Sequence, residues 1–220
     1  MVTKGEGEAV LTQRVVFCDF DGTITERDGF VRVCRNFAPE AVEKYLPGVM
    51  DGSISLREGL TEILESIDSS HLEAMRTHCD DIPMRPGLEM LIEWLAEREV
   101  PFVVISGGLK ELVLRKLGPL AEKAHGVYAP ELDASDEKLK VLSAFPGERE
   151  LLDKVAVMKN HPCEESIAIG DGITDFQMAK EAHVVFAQRQ LAEFMEEQKM
   201  PFYSWNNFDD IRYVLSGLWE

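Results

Sequence analysis

The 220-residue sequence contains no apolar run that approaches the length of about 18 residues needed to cross a bilayer. Its first ten residues, MVTKGEGEAV, also lack the apolar middle of a secretory signal peptide. We therefore expect a cytoplasmic protein with no membrane partner, in which residues 1–12 form a flexible tail.

Basic residues are scarce, because 23 lysines and arginines stand against 40 aspartates and glutamates and give a formal net charge of −17. A broad basic face that binds nucleic acid is therefore not expected. A small anionic ligand remains compatible with this charge, since one metal ion and one lysine can reverse the sign of the potential inside a pocket. We expect a small-molecule partner and a monomer or homodimer.

Cysteines are also few, and none of Cys18, Cys34, Cys79 and Cys163 forms a CxxC pair with another. Cys18 lies inside an apolar run, which favours free buried thiols over disulfides or a zinc site. The five histidines have no metal-ligand spacing either, and we interpret them as surface or structural residues.

Apolar segments of strand length alternate with helical patterns along most of the chain. Leu88, Leu91, Ile92 and Leu95, for example, have the spacing of an amphipathic helix. Continuously apolar strands separated by helices indicate a parallel sheet covered on both faces, so the predicted class is α/β with a Rossmann-like core. The predicted strands are residues 14–20, 101–106, 124–128, 166–170 and 183–187.

Residues 29–82 depart from this alternation, because one helical pattern follows another without a convincing strand. We expect these helices to form a cap inserted into a core made of residues 13–28 and 83–220. The alternative is that the helices pack directly on the sheet. Residues 130–147 are predicted only as an excursion before the next helix, either a β-hairpin or an irregular loop.

Aspartates follow two of the predicted strands, Asp19 and Asp21 after the first and Asp171 and Asp175 after the fourth. Residues i and i+2 of a strand face the same side, so Asp19 and Asp21 are expected to start on one face. Ligands bind at the carboxyl edge of an open parallel sheet, and adjacent buried carboxylates need a compensating charge. The two acidic strand ends therefore predict a divalent metal, and their oxygen ligands favour Mg²⁺.

An anion site and a cation are predicted near the same edge of the sheet. Ser106, Gly107 and Gly108 end the second strand, and a small hydroxyl with free backbone N–H groups before a helix can hold an anion. Lys154 begins the helix before the fourth strand and is expected close to this edge, whereas Lys159 is expected to face solvent.

In this order, DFDGT, SGG, a lysine and GDGITD resemble the four motifs of the haloacid dehalogenase superfamily of phosphotransferases, over residues 15–175. The DxDGT form is that of the phosphatases and phosphomutases. The resemblance implies that Asp19 is the nucleophile that forms an aspartyl phosphate, and that Asp21 is the general acid and then the base. It also implies that Lys154 neutralises charge on Asp19 and on the transferred phosphoryl group.

The resemblance further implies a Mg²⁺ ion held by the Asp19 carboxylate, the Asp21 backbone carbonyl and the Asp171 carboxylate. Asp175 would orient a metal-bound water or Lys154. The phosphate oxygens would be held by Thr23, Ser106 and the Gly107 N–H.

The predicted cap resembles that of the phosphoserine phosphatase subfamily, in which a cap acid and a cap arginine hold the amino-acid head. Asp28 could supply the acid, but the arginine position aligns with Gly59, and Arg57 lies out of place. Stretches such as CDFDGTIT, SISLREGL and VPFVVISGG instead resemble the methionine-salvage branch, which acts on 2-hydroxy-3-keto-5-methylthiopentenyl-1-phosphate. The cysteine-rich stretch that some members of this branch carry before the lysine is absent here.

These resemblances leave three functions open. The main expectation is a phosphatase of the methylthio substrate, for which Phe30, Val33 and Phe37 could help to supply an apolar wall. A phosphoserine phosphatase or a related small-metabolite phosphatase is the alternative, and an inactive phosphoester-binding protein is a remote one. The candidate specificity residues are Asp28, Phe30 and Arg57.

Overall fold

The computed structural model describes residues 12–220. The flexible tail predicted for residues 1–12 lies outside the described residues, except for Thr12, which is already the first residue of a strand.

The centre of the fold is a sheet of six parallel strands in the order β3-β2-β1-β6-β7-β8. The first strand occupies a central position, where it pairs in parallel with β2 on one side and β6 on the other. This arrangement confirms the predicted α/β class with a parallel Rossmann-like sheet. In chain order the strands are β1 (Thr12–Cys18), β2 (Phe102–Ile105), β3 (Gly126–Tyr128), β4 (Glu131–Asp133), β5 (Lys140–Leu142), β6 (Cys163–Gly170), β7 (Val184–Ala187) and β8 (Tyr203–Ser204).

Helices cover both faces of the sheet, which explains why β1 is apolar at consecutive positions. Val16 and Cys18 pack on one side in a cluster that includes Leu91 and Ile211, whereas Phe17 packs on the other side. The helices of the core are α5 (Leu88–Ala96), α6 (Lys110–Leu117), α7 (Leu120–Lys123), α8 (Lys154–Lys159), α9 (Phe176–Glu181), α10 (Arg189–Glu197) and α11 (Phe208–Trp219), with a short 3₁₀ helix at Ile173–Asp175.

The region predicted as a cap is helical, and its apolar side chains form a cluster together with core residues such as Leu112 and Leu132. Phe30, Val33, Ile63 and Leu64 meet in this cluster, which is separate from the clusters on the two faces of the sheet and also includes Leu109. Within residues 12–220, the buried residues of this cluster include none from the six strands of the central sheet, which favours a cap over helices packed on the sheet. The helices of the predicted cap are α1 (Gly29–Phe37), α2 (Pro39–Met50), α3 (Leu56–Leu64) and α4 (Leu72–Thr77), with a 3₁₀ helix at Ser69–His71.

Two linkers join these helices to the core, and they run antiparallel to each other. The N–H of Arg85 donates to the carbonyl of Ile24 at 2.8 Å, and Thr25 forms an antiparallel bridge with Met84. The chain therefore leaves and re-enters the core at one place. On this basis we propose that residues 29–82 form the cap.

The excursion predicted at residues 130–147 contains the antiparallel pair of β4 and β5. This hairpin is hydrogen-bonded to the cap, because the N–H of Leu139 donates to the carbonyl of Ile67 at 3.0 Å and the N–H of Ser69 donates to that of Glu137 at 2.9 Å. The excursion is therefore a second contact between core and cap.

Among residues 12–220, no helix is both long enough and apolar enough to cross a membrane. The expected cytoplasmic location and the expected monomer or homodimer stay predictions.

Candidate active site

Two neighbouring strands place Asp19 and Asp171, two of the predicted metal ligands, next to each other. Cys18, the last residue of β1, is in register with Ile169 of β6, and the N–H of Asp19 donates to the carbonyl of Ile169 at 2.9 Å. Asp19 and Asp171 therefore leave the sheet side by side at its carboxyl edge, where open parallel sheets bind ligands.

Lys154 joins this pair as a buried cation. Its Nζ lies 2.5 Å from Oδ1 of Asp19 and 2.6 Å from Oδ1 of Asp175, and all three side chains are almost completely buried. Lys154 is the first residue of α8, directly after the helix-capping residue Asp153. Burial disfavours the charged ammonium, but the Asp175 and Asp19 carboxylates outweigh burial and raise the pKa of Lys154. The lysine therefore remains positively charged beside Asp19.

Asp175 links the lysine to the second acidic strand end. Its Oδ2 accepts the backbone N–H groups of Asp171 and Gly172, each at 2.9 Å, while its Oδ1 accepts from Lys154. A Cβ atom at Gly170 would lie 2.6 Å from the Asp175 carboxylate, so only glycine leaves room for this side chain. These contacts support the predicted role of Asp175 in orienting Lys154.

The Asp171 carboxylate is held at both oxygens. The hydroxyl of Thr23 donates to Oδ1 at 3.0 Å, and Nη1 of Arg189 donates to Oδ2 at 2.9 Å. Thr23 is fully buried, and in this structure the partner of its hydroxyl is Asp171. The phosphate-binding role expected for Thr23 stays a prediction.

The carboxylates of Asp19, Asp171 and Asp175 could hold a metal ion. Each offers a ligand oxygen, and these oxygens all lie within 4.8 Å of one another. Burial and the Asp175 carboxylate raise the pKa of Asp19, against the opposing effect of Lys154. A divalent cation would offset this concentration of negative charge, and an all-oxygen ligand set fits Mg²⁺.

The strand alternation from which Asp19 and Asp21 were expected to share a face does not reach these two residues, so that expectation stays a prediction. β1 ends at Cys18, two residues earlier than predicted, so the alternation of a strand does not extend to Asp21. The Asp21 Oδ1 instead accepts the N–H groups of Gly29 and Phe30, at 2.9 and 3.3 Å, at the start of the first cap helix. Its carboxylate therefore bridges the core and the cap.

The predicted anion site lies against Asp21. The hydroxyl of Ser106 is 3.4 Å from Oδ2 of Asp21 and accepts the N–H of Gly108 at 2.9 Å. A Cβ atom at Gly108 would lie 2.6 Å from the same carboxylate oxygen, which explains this glycine. By contrast, a Cβ atom at Gly107 would meet nothing within 4 Å, so a ligand has room to approach this backbone.

Burial and, after it, the nearby Asp28 carboxylate raise the pKa of Asp21 to about 7. The N–H groups of Gly29 and Phe30 oppose this shift without reversing it. A carboxyl group with such a pKa can carry a proton near neutral pH, which is what a general acid requires.

The candidate specificity residues are in three different settings. Asp28 caps α1 by accepting the N–H of Val31 at 2.8 Å. Phe30 is buried, and its Cβ lies close to Gly108 of the anion site. Arg57 is tied to the excursion, since its Nη1 donates to the carbonyl of Gly147 at 2.8 Å. Of the three, Asp28 and Phe30 lie beside the Asp21 carboxylate.

The apolar wall predicted from Phe30, Val33 and Phe37 is wrong in part. Val33 is fully buried in the cap cluster, and the Phe37 ring packs against His71 and His78, at centroid distances of 5.8 and 5.3 Å. Both side chains are thus used for packing within the cap. This packing also agrees with a structural role for these two histidines.

Two arginines at the site were not predicted. Arg189 binds Asp171, and Arg85 donates to the carbonyls of Gly22 and Thr23 at 2.8 and 3.0 Å. A signal for Arg189 is present in the sequence, because a charged residue two positions after the apolar strand β7 falls at the same carboxyl edge as Asp171. Arg85 lies where the chain returns from the predicted cap to the core, a segment to which no functional residue was assigned.

This chain belongs to the haloacid dehalogenase-like hydrolase family, whose sequence profile matches residues 16–180. It is therefore a hydrolase, and the family expected from the four motifs is confirmed.

Two relatives that align over nearly their whole length are phosphatases by name. A protein of Microcystis aeruginosa named 2-hydroxy-3-keto-5-methylthiopentenyl-1-phosphate phosphatase is 37% identical over 205 residues, which cover 92% of this chain and 97% of the relative. A protein of the same name from Bacillus thuringiensis subsp. konkukian is 31% identical over 213 residues, covering 93% of this chain and 97% of the relative. The predicted enzyme class, phosphoric monoester hydrolase, is confirmed.

Solved structures agree with the fold. A substrate-bound phosphoserine phosphatase superposes with a TM-score of 0.67 at 20% identity, covering 92% of this chain and 98% of that one. A phosphoserine phosphohydrolase-like protein of Francisella tularensis gives the same TM-score at 21% identity, with coverages of 92% and 99%. At this level of identity the likeness concerns the fold alone.

Proposed function

We propose that this enzyme is a Mg²⁺-dependent phosphatase that hydrolyses 2-hydroxy-3-keto-5-methylthiopentenyl-1-phosphate through an aspartyl phosphate on Asp19. The observation that carries the chemistry is the buried contact of Lys154 with Asp19, beside Asp171 on the neighbouring strand. The names of the relatives, which align over more than nine-tenths of this chain, support the choice of substrate.

Asp19 and Lys154 perform the first half of the proposed reaction. A carboxylate oxygen of Asp19 attacks phosphorus, and Lys154 at 2.5 Å stabilises the negative charge shared by the nucleophile and the phosphoryl oxygens. Mg²⁺ held by Asp19, the Asp21 carbonyl and Asp171, as the family resemblance implies, would supply further positive charge at these oxygens. Asp175 lies within reach of the same ion but is assigned to Lys154, from which it accepts a hydrogen bond. Phosphoryl transfer depends mainly on such positioning and charge neutralisation.

Asp21 performs the proton transfers. In its protonated form it donates to the leaving enol oxygen, and the resulting carboxylate then accepts a proton from the water that attacks the aspartyl phosphate. Its contacts with Gly29 and Phe30 hold it at the boundary of core and cap. The Ser106 hydroxyl lies 3.4 Å from the other carboxylate oxygen of Asp21, and this hydroxyl and the open backbone at Gly107 can donate to phosphate oxygens.

The cap favours the methylthio substrate over phosphoserine. Phosphoserine presents an ammonium and a carboxylate, and a buried carboxylate needs a basic partner. The position aligned with the cap arginine is Gly59, where a Cβ atom would lie 2.3 Å from Cγ2 of Val49, so no larger side chain fits there. Phe30, although also buried in the cap cluster, has its Cβ next to Gly108 and brings apolar atoms rather than a basic group to this side of the site.

The proposal is tested by measuring phosphate release from the purified protein and freshly prepared methylthio substrate. We expect turnover that requires Mg²⁺, stops with EDTA and returns when Mg²⁺ is restored. The Asp19→Asn variant provides the matched control for contaminating phosphatases. A panel in which another phosphorylated metabolite is hydrolysed much faster would reject the substrate, and turnover that is insensitive to EDTA would reject the metal.

A further inference from the structure

Arg189 belongs to none of the four motifs, yet the backbone around it is hydrogen-bonded to the GDGITD motif. Two nearby residues are hydrogen-bonded to the end of β6. The N–H of Gln188 donates to the carbonyl of Gly170 at 3.2 Å, and the N–H of Leu191 donates to the carbonyl of Asp171 at 3.1 Å. Arg189 itself has a φ of +46°, a left-handed conformation that is uncommon outside glycine. Such conformations persist where the surrounding contacts impose them and are frequent at functional sites.

The Arg189 guanidinium has two partners that belong to different parts of the molecule. Its Nη1 donates to Oδ2 of Asp171 at 2.9 Å, and its Nη2 donates to the carbonyl of Glu26 at 2.9 Å. Glu26 lies in the first linker to the cap, where its N–H is bound to Pro83 of the second linker. One side chain therefore joins the acidic cluster to the paired linkers.

The turn before this linker leaves room for the contact between Arg189 and Asp171. A Cβ atom at Gly22 would lie 2.4 Å from Oδ2 of Asp171 and 2.9 Å from Nη1 of Arg189. Gly22 also has a φ of +86°, so glycine is required there for its conformation as well as for space. The arginine reaches Asp171 from the solvent side, since its side chain is 50% exposed and that of Asp171 is 9% exposed.

We infer that Arg189 is a positioning residue that holds the Asp171 carboxylate in the orientation needed for the divalent metal and connects it to the first cap linker. The inference rests on the proposed function, in which Asp171 is a metal ligand. Thr23 fixes one oxygen of Asp171 and Arg189 the other, so loss of the guanidinium leaves the carboxylate held at Oδ1 alone. Partners of this kind orient metal ligands, and their loss typically weakens metal binding by about 10- to 100-fold.

The guanidinium suits this role because it is planar and has several N–H donors, so it can bind a carboxylate and a carbonyl at once. The single ammonium of a lysine can replace only one of these contacts well. Arg189→Lys keeps the charge and Arg189→Gln removes it, and the pair separates geometry from charge.

The test measures binding of Mn²⁺ alone, followed by electron paramagnetic resonance, together with hydrogen exchange of the linker peptide at residues 22–28. We expect Arg189→Gln to weaken Mn²⁺ binding by about tenfold and to accelerate linker exchange, with Arg189→Lys restoring only part of the affinity. Arg35→Gln removes an exposed positive charge from the cap helix α1 and should leave Mn²⁺ affinity unchanged. Thermal unfolding of each variant checks that the fold is retained.

The outcomes separate this inference from the proposed function. If the unmodified protein does not bind Mn²⁺, or if Asp171→Asn binds it equally well, both the metal site and the inference are overturned. If Asp171→Asn loses Mn²⁺ but Arg189→Gln binds it as tightly as the unmodified protein, or more tightly, the metal site stands and the positioning role is rejected. Unchanged linker exchange in Arg189→Gln would reject the connection to the cap.

Discussion

Nζ of Lys154 lies 2.5 Å from Oδ1 of Asp19, although the two residues are 135 positions apart in the sequence. The contact is buried, so water screens it little and it has a strong effect on the charge of both groups. It places the predicted nucleophile and its cation together at the carboxyl edge of the sheet.

Replacement of the nucleophile should abolish turnover and leave the fold intact. Asp19→Asn keeps the size of the side chain and removes the attacking oxygen anion, so we expect kcat to fall to the background level of the assay. Steady-state kinetics and thermal unfolding measure the two effects. Residual turnover above a few per cent, in protein free of the unmodified enzyme, would show that another residue attacks phosphorus.

Lys154→Ala should lower kcat/KM by about 10²- to 10³-fold, as expected for loss of a preorganised charge at the reacting group. Because the lysine is buried between Asp19 and Asp175, thermal unfolding in the presence of Mg²⁺ must verify that the Lys154→Ala variant is folded. Lys159→Ala, an exposed position five residues later on the same helix, is the matched control and should be nearly silent. The reverse order of effects would reject our assignment of the third motif.

The pH dependence should report on Asp21. Because its pKa is raised to about 7 and its protonated form is the acid, kcat/KM should fall as the pH rises through about 7. Asp28→Asn removes a carboxylate that raises this pKa, so the falling limb should move to lower pH. Asparagine caps a helix as well as aspartate does, so α1 should be retained. A limb that stays in place, or moves to higher pH, would contradict the effect of Asp28 on Asp21.

Gly59 should not accept a side chain. Gly59→Ala would bring its Cβ within 2.3 Å of Val49 and force α2 and α3 apart, which we expect to cost about 1–3 kcal/mol in the free energy of unfolding. Gly217→Ala, an exposed helical position with nothing within 4 Å of the new Cβ, is the control and should stabilise the protein by about 0.5–1 kcal/mol. Chemical denaturation measures both values, and a neutral Gly59→Ala variant would contradict the packing argument against a cap arginine.

The sequence predicted the positions of the sheet strands β1, β2, β3, β6 and β7 because buried parallel strands are continuously apolar. It also predicted that Asp19, Lys154 and Asp171 lie near one another, because strand ends and helix starts meet at one edge of such a sheet. The two-residue strand β8 carries too short a pattern to be recognised.

Side-chain orientations were harder to predict. The direction of Asp21 depends on the turn at Gly22, because β1 ends two residues earlier than predicted and strand alternation does not reach Asp21. The contact of Arg189 with Asp171 depends on a left-handed residue whose conformation no local pattern indicates. Val33 and Phe37 look like wall residues until the packing of the cap is known.

Direct competition between the methylthio keto-enol phosphate and phosphoserine tests the central claim. Both substrates are supplied at equal concentration to one sample of enzyme with Mg²⁺, and both products are measured. The account predicts a preference of at least about tenfold in kcat/KM for the methylthio substrate, which corresponds to about 1.4 kcal/mol in transition-state binding. Equal or faster turnover of phosphoserine would contradict it.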